Sequence, residues 1–379
     1  MVSGARVLAS ARVVPGVTAT SGARGALVSG RVTMKDVAAA LGVSTATVSR
    51  ALKGDPAISI ATRRAVAEVA QRVQYRPSAA ARRLRTKSTS LIGVVVQSVG
   101  DGYIGEVVLG IQSRARDLGY QPLFFAAEGR AELESQALDV FLSEQVTELI
   151  AVSPTGHVLA QAVAEGMHVA VINGDEAVAA SLIARVASGA DAPSPRLGSR
   201  RAPMIKHIAF DDVGAGRLAT SHLIELGHRS FAHLRGPQVR SSLLRLLGYR
   251  QALTEAGLWP QPVLAAAPLM ANREAAVAEF LREATPPVAM VAYDDLSAVA
   301  ALHAAHRAGW RVPADLSVVG IDDIQLAAYT NPGLTTVAQP KQRLGALAVD
   351  AVLDRGDDVP KVTVLDGELV VRESTAAPS

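Results

Sequence analysis

Cysteine is absent from the 379 residues, which excludes disulfide staples and thiolate metal sites and fits a reducing compartment. No apolar run approaches the ~20 residues a membrane-spanning helix needs, so no membrane partner is expected. Acidic residues are missing from residues 1–31, where Ala, Gly, Val, Ser and Arg dominate. Pro15 and the repeated glycines and arginines there interrupt every apolar core that a secretory signal would require. Residues 1–31 therefore read as a disordered basic tail or as a start codon placed too early. There is no GxSxG nucleophile elbow and no GxxxxGK[ST] phosphate loop. His157, His168, His207, His222, His228, His233, His303 and His306 are scattered without metal-ligand spacing, and His303 with His306 is a helical i, i+3 pair expected to face solvent. No catalytic group, metal or cofactor is expected.

What is present is a long chain with 49% hydrophobic residues, enough for two or three domains with real cores. The net charge is only +3, but the basic residues concentrate in the N-terminal quarter, and a local basic patch matters more than the total. Within that quarter, Met34 to Leu41 places Val37 and Leu41 on one helical face, Gly42 stops the run, and Ser44 can cap a second helix. In the second helix Val48, Ala51 and Leu52 are expected to turn inward, leaving Thr45, Ala46, Thr47, Ser49, Arg50 and Lys53 outside. A short polar, basic helix face of this kind fits the major groove of B-DNA, with an Arg able to fork onto guanine; an ordinary helical hairpin has the same outline.

The next segment separates these readings. Ser59 can cap a third helix whose Val66, Val69, Ala70 and Val73 close a three-helix core. Tyr75-Arg76-Pro77-Ser78-Ala79-Ala80-Ala81-Arg82-Arg83-Leu84-Arg85-Thr86-Lys87 then carries five basic residues and no acidic one. It is too short to be stably helical alone and is expected to fold on its target. Small residues beside one leucine, flanked by arginines, suit a minor-groove wedge.

From Leu91 the pattern becomes short apolar strands alternating with amphipathic helices. Strands are expected at 91–96, 122–125, 149–152 and 169–172, with helices at 104–118, 131–143 and 157–165. A second series is read as opening at His207-Ile208-Ala209-Phe210, followed by helix 214–226 and strands near 231–234, 288–292 and 316–320. Repeated βαβ units give parallel sheets, and two such lobes make a cleft.

Together, VTMKDVAAALGVSTATVSRAL and YRPSAAARRLR resemble the lactose-repressor (LacI/GalR) family of bacterial transcription regulators. The resemblance continues through RLLGYRQAL, YDDLSAVAAL, VPADLSVVGIDD and PGLTTVAQP to about residue 372. It implies an N-terminal all-α helix-turn-helix domain plus an α/β two-lobed periplasmic-binding-protein-like effector domain. The expected partition is 32–75 helix-turn-helix, 76–88 hinge helix, 89–372 effector and dimerisation domain, and 373–379 tail. Lobe 1 would take about 89–210 and 338–365, and lobe 2 about 211–337 and 366–372, with crossovers near 210, 337 and 366. The Ala/Ser/Arg/Pro-rich stretch 176–206, where the family turns quickly between lobes, is expected to be a mobile surface loop.

The resemblance also implies function. Thr45, Ala46 and Arg50 would face bases, and Leu84 with Ala81 would enter the minor groove at the centre of a palindromic operator. The full set expected to touch DNA is Thr33, Lys35, Ser44, Thr45, Ala46, Thr47, Ser49, Arg50, Tyr75, Ala81, Leu84 and Arg85. Ligands of parallel sheets bind beyond the carboxyl ends of strands, which selects Gln97, Ser98 and Asp101, Asn173 and Asp175, Asp294, and Asp322. In the family, the positions of Arg245, Asp294 and Asp322 hold the effector, and Tyr103 stands where an aromatic ring stacks on it or packs in the core. The effector set is thus Gln97, Asp101, Tyr103, Asn173, Arg245, Asp294 and Asp322, suited to vicinal hydroxyls of a sugar or nucleoside. Asp294 replaces the family's common Asn, and its charge points away from a neutral sugar. Asp295 and Asp323 are expected to cap helices or form turns. The implied protein is a cytoplasmic, nucleoid-associated repressor, a homodimer or tetramer, with double-stranded DNA and a small effector as partners. A transport-type sugar-binding protein and an effector-independent DNA-binding regulator are the competing readings.

Overall fold

The computed structural model describes residues 32–75, 89–98, 100–174, 181, 203–237, 239–265, 270–354, 356 and 359–378. The chain divides into two compact units, Met1–Lys87 and Ser88–Ser379. The expected hinge segment 76–88, with Ala81, Leu84 and Arg85, lies outside the described residues, as does Asp175.

In the first unit, α1 (Met34–Leu41), α2 (Thr45–Leu52) and α3 (Ile60–Arg72) form a three-helix core. Thr33 precedes α1 in extended backbone, and its N–H and Oγ1 both donate to Asp36 Oδ2, at 2.7 and 2.8 Å. Gly42, at φ +63°, makes the left-handed turn that ends α1, a conformation costly for any residue with a Cβ. Ser44 and Ser59 cap α2 and α3, their hydroxyls accepting from Thr47 N and Thr62 N. Val37, Val48 and Val66 are fully buried, each contributing about 1.5–3 kcal/mol of apolar transfer. Leu52 does not turn inward as its spacing predicts: it is the last residue of α2, where the helix gives way to the Lys53–Gly54 turn, and it is 38% exposed.

The second unit holds two six-stranded sheets. The first contains β1 (Leu91–Val96), β2 (Gln121–Ala126), β3 (Glu148–Val152), β4 (His168–Ile172), β5 (Ile205–Phe210) and β11 (Val362–Leu365), in the order β11-β5-β4-β3-β1-β2, all parallel. The second contains β6 (Phe231–Arg235), β7 (Val263–Ala265), β8 (Val288–Ala292), β9 (Leu316–Asp322), β10 (Thr335–Ala338) and β12 (Glu368–Val370), in the order β12-β10-β9-β8-β6-β7, with β12 alone antiparallel. Two sequence expectations are corrected here. The strand at 207–210, which the strand–helix alternation reads as opening the second series although the expected lobe 1 runs to about 210, pairs with β4 and β11 in the first sheet. The stretch 176–206 is not loop throughout, because Ile205 and Lys206 already belong to β5; buried Lys206 is held by an ion pair with Asp354.

Helices cover the sheets. They are α4 (Gly102–Asp117), α5 (Ala131–Ser143), α6 (Gly156–Ala164), α7 (Asp212–Glu225), α8 (Arg240–Glu255), α9 (Met270–Glu283), α10 (Asp295–Arg307) and α11 (Lys341–Leu353). Two helix pairs meet by reciprocal glycine contacts. A Cβ at Gly216 would lie 2.1 Å from the Arg245 carbonyl oxygen, and one at Gly248 would lie 2.0 Å from that of Val213, so α7 and α8 pack backbone against backbone. Gly110 and Gly345 do the same for α4 and α11. The first contact matters for the site, because it brings Arg245 on α8 against Asp212 at the start of α7. No helix among the described residues is long and apolar enough to cross a membrane.

Candidate functional site

On the helix-turn-helix unit, Thr33, Lys35, Ser44, Thr45, Ala46 and Arg50 are exposed, while Thr47, Ser49 and Tyr75 are half-buried. Ser44 and Thr47 are already bonded to each other: Thr47 N donates to Ser44 Oγ at 3.0 Å, and the two hydroxyls lie 2.9 Å apart. Tyr75 packs against the three-helix core. Arg50 is not free, since its Nε donates to Asp55 Oδ2 at 2.8 Å, and its guanidinium holds the Asp55 carboxyl below the usual range. Both partners are substantially solvated, so the pair is weak and can be exchanged for a base contact. Asp55 was not singled out in the sequence, and its Ala57 N–H contact marks it as a turn residue first.

In the second unit, a cavity of about 320 Å³ opens between the carboxyl ends of the two sets of strands. Gln97, Asp101, Asn173 and Asp294 line it, as expected, with Ser153, Pro237, Arg240, Ser241, Arg273 and Tyr293. Each polar group is oriented by a second contact. Gln97 Nε2 donates to the Ser153 carbonyl at 2.8 Å, and Asp101 caps α4 by accepting from Tyr103 N at 2.8 Å. Asn173 sits at φ +49°, its Oδ1 accepting from Phe210 N at 3.0 Å and its Nδ2 donating to Tyr103 Oη at 2.7 Å. Tyr103 is therefore a core residue with its hydroxyl turned to the site, and burial raises its pKa well above the usual phenol value.

Arg245 and Asp322 lie behind the cavity lining rather than at its surface. Arg245 is 4% exposed; it donates from Nε to Asp212 at 2.8 Å and from Nη1 to the Tyr293 carbonyl at 2.6 Å, with Asp322 3.4 Å away. Burial works against its charge, but Asp212 and Asp322 outweigh that and raise its pKa. Asp322, at φ +129°, accepts from Gln339 Nε2 at 2.5 Å, and its carbonyl accepts from Lys341 Nζ at 2.5 Å. Burial raises the Asp322 pKa well above the usual carboxylate range against the opposing pull of Arg245.

The capping assignment also changes. Asp294, not Asp295, caps α10, accepting from Ser297 N at 2.6 Å, while Arg273 Nη1 reaches both its oxygens at 3.1 and 3.3 Å. Asp295 is fully buried and accepts from Ile324 N at 2.8 Å and Thr336 Oγ1 at 2.5 Å, and burial pushes its pKa up to about 6. Asp323 sits at φ +51° and takes an ion pair from Arg372 at 2.7 Å. Arg240 and Ser241 could have been found by the rule that found Gln97, since they follow β6. Arg273 could not, because it comes from α9 and reaches the cavity only through the tertiary fold. Among the described residues, no three acidic or imidazole groups gather to hold a metal ion.

Comparison with known proteins gives two family matches. Residues 33–78 match bacterial regulatory proteins of the lacI family, and residues 220–375 match the periplasmic binding protein-like domain. The chain is 32% identical over 359 residues to the HTH-type transcriptional regulator CelR of Thermobifida fusca, covering 91% of this chain and 98% of that protein. It is 30% identical over 353 residues to the HTH-type transcriptional repressor CytR of Escherichia coli K12, covering 91% and 96%. Among solved structures, the lac repressor dimer bound to operator and the anti-inducer ONPF matches with a TM-score of 0.77 at 29% identity, over 92% of this chain and 100% of that one. The CelR–cellobiose complex matches with a TM-score of 0.62 at 28% identity, over 91% and 100%.

Proposed function

The chain belongs to the LacI family of bacterial transcription regulators, and from its cleft we propose that it is a dimeric repressor whose effector is an uncharged polyhydroxy molecule, a sugar or a nucleoside. The observation that carries the effector class is the pairing of Asp294 with Arg273 and with the Ser297 N–H in the first turn of α10. That pairing already matches the carboxylate's charge, so Asp294 meets a ligand as an oriented acceptor and not as an unpaired anion. Arg245 is likewise matched by Asp212 and Asp322. The cavity volume of about 320 Å³ falls at the small end of ligand pockets, roughly 300–1,000 Å³, which suits a molecule with few rings.

Operator recognition rests on the exposed Thr45, Ala46 and Arg50 face of α2, with Lys35 and the Ser44 end of the helix against phosphates. Effector binding between the lobes alters their angle and so the spacing of the two DNA-binding units in the dimer, a coupling free energy between two sites. The place of action is the cytoplasm, where the chromosome is. The test is a thermal-shift and calorimetric screen of the full-length protein against neutral saccharides and nucleosides, each paired with its phosphorylated and its amino derivative. A neutral compound is expected to bind best and to change affinity for a selected operator. If a charged derivative binds better than its neutral parent, the effector class is wrong.

A further inference from the structure

Besides the crossovers of the chain, one loop of the second lobe reaches into the first and is held there by a lysine. The strand β10 ends at Ala338 in the second sheet, and α11 starts at Lys341 over the first. Lys341 is only 5% exposed, so its ammonium must place its N–H bonds on protein acceptors. Two of them cross the lobe boundary: Nζ donates to the Asp322 carbonyl at 2.5 Å and to the Asp323 carbonyl at 2.8 Å. The third acceptor, Glu106 Oε1, lies 3.5 Å away on α4, in the lysine's own lobe. The loop that Lys341 holds has an unfavourable backbone. Asp322 lies at φ +129° and Asp323 at φ +51°, a region that a residue with a Cβ occupies only where its surroundings impose it. Two consecutive carbonyls drawn onto one cation are such an imposition. The next residue crosses the boundary in the opposite direction. Ile324, 7% exposed, belongs to the first lobe's core cluster with Tyr103 and Ile104 of α4, and a Cβ at Gly102 would lie 3.5 Å from its Cβ. Its N–H, however, donates to Asp295 Oδ2 in the second lobe at 2.8 Å.

We propose that residues 322–324 and Lys341 form a cross-lobe latch that fixes the angle between the lobes, with Lys341 as the positioning residue for Asp322. The latch has a polar arm, which runs from the first lobe onto the second lobe's carbonyls, and an apolar arm, which runs from the second lobe into the first lobe's core. It also connects both walls of the effector cleft. On one side, α4, against which Ile324 packs, carries Asp101 as its N-cap and Tyr103 in its first turn. On the other, Asp322 stands 3.4 Å from Arg245, which donates to the Tyr293 carbonyl. The polar arm lies beside the β10–α11 crossover, where the lever arm is short, so a small slip there becomes a larger displacement at the mouth of the cleft. Without the ammonium, the loop is free to relax out of its left-handed conformation, and Asp322 moves with it.

The latch does not depend on the identity of the effector or the operator and is tested with neither added. Because the chain has no cysteine, two introduced ones carry the only spin labels. Glu132→Cys on α5 and Leu243→Cys on α8 place them at exposed positions in the first turns of helices on opposite lobes. Double electron–electron resonance then reads their separation in full-length protein diluted with unlabelled chain. Lys341→Met keeps the stem and removes the ammonium, and Ile324→Ala removes the apolar arm. Each should shift the labels to a longer and broader separation. In the same variants amide exchange at 322–325 and 339–342 should rise about tenfold more than in the central strands β3 and β8, because the loop opens without global unfolding. Either variant decides the matter if the other does not fold. A separation that stays as in the parent, or exchange that rises in β3 and β8 as much as at 322–325, would overturn the latch and leave Lys341 a cation of the fold alone.

Discussion

Arg245 is the residue whose replacement tests the structural account most directly. Arg245→Met keeps most of the side-chain volume but leaves two carboxylates, Asp212 and Asp322, 6% and 9% exposed, without their cation, and the Tyr293 carbonyl without its donor. Breaking a buried pair by removing one partner costs about 3–5 kcal/mol, mostly from the stranded charge. Such a loss would be a large fraction of the stability of any one lobe. Urea unfolding of wild type and variant at pH 7.5 reads the difference. The sign of its pH dependence follows from the stranded acids: with no cation beside it, buried Asp322 has its folded pKa raised further above its unfolded value. The stability its proton confers is then complete below the unfolded pKa and lost as pH rises through the folded one. The variant's deficit should therefore shrink on going from pH 7.5 to 5. Asp212→Leu in the Arg245→Met background should restore part of the loss, because replacing both members of a buried pair by apolar groups is close to neutral. A deficit below about 1 kcal/mol, or a double variant no more stable than the single, would refute the view that Arg245 is a structural cation first.

Arg50→Ala should barely change stability, since its pair with Asp55 is solvated, but should cost about 1–3 kcal/mol of operator discrimination; urea unfolding reads the first, and fluorescence anisotropy on operator and random DNA at one salt concentration reads the second. Asp55→Asn releases Arg50 and should tighten operator binding in the same assay. Asp295→Asn should flatten the pH profile of the melting temperature: the folded pKa of about 6 means that up to roughly 3 kcal/mol present in acid is lost as pH rises through 6, and the variant has no proton to lose. Gly248→Ala drives a Cβ into the Val213 carbonyl and should cost about 1–3 kcal/mol in urea unfolding while circular dichroism stays native.

Most of the fold is visible in the sequence because its signals are local. Val37, Val48 and Val66 each sit on the apolar face of a capped helix, and β1 to β4 are apolar runs, polar only where β2, β3 and β4 begin, separated by amphipathic helices. Errors arose where an element's identity depends on a distant partner. The strand at 205–210 has the same apolar character whichever sheet it joins, so alternation alone attaches it to the series that follows, whereas its pairing is with β4 and β11. Leu52 fits the inward face by spacing alone, but the helix ends before anything packs over it. The cleft divides along the same line. Gln97, Asp101, Asn173 and Asp294 were legible because strand ends are legible; Arg273 was not, since a helix residue 21 positions before Asp294 gives no sign that it will face it.

That undetected arginine changes the chemistry of the site, and the Asp294 variant is where the change becomes measurable. Viewed as sequence, a carboxylate in place of the family's common Asn suggests a cationic ligand, and its removal would then weaken binding. With Arg273 Nη1 3.1 Å from Asp294, the carboxylate instead holds the arginine, and Asp294→Asn removes the carboxylate charge from beside a cation that is 7% exposed at the cavity wall. The variant should therefore lose affinity for the neutral effector, by about 1–3 kcal/mol if the displaced arginine leaves ligand oxygens unpaired. It should at the same time gain affinity for the anionic counterpart of that effector, a phosphorylated or carboxylated sugar, whose charge replaces the missing carboxylate. Arg273→Met in the Asp294→Asn background removes that cation and should abolish the gain. Calorimetry with the neutral and anionic forms of one compound distinguishes the two accounts by sign. If Asp294→Asn leaves the preference for the neutral form unchanged, the pair does not set the charge of the ligand, and Asp294 acts only as the cap of α10.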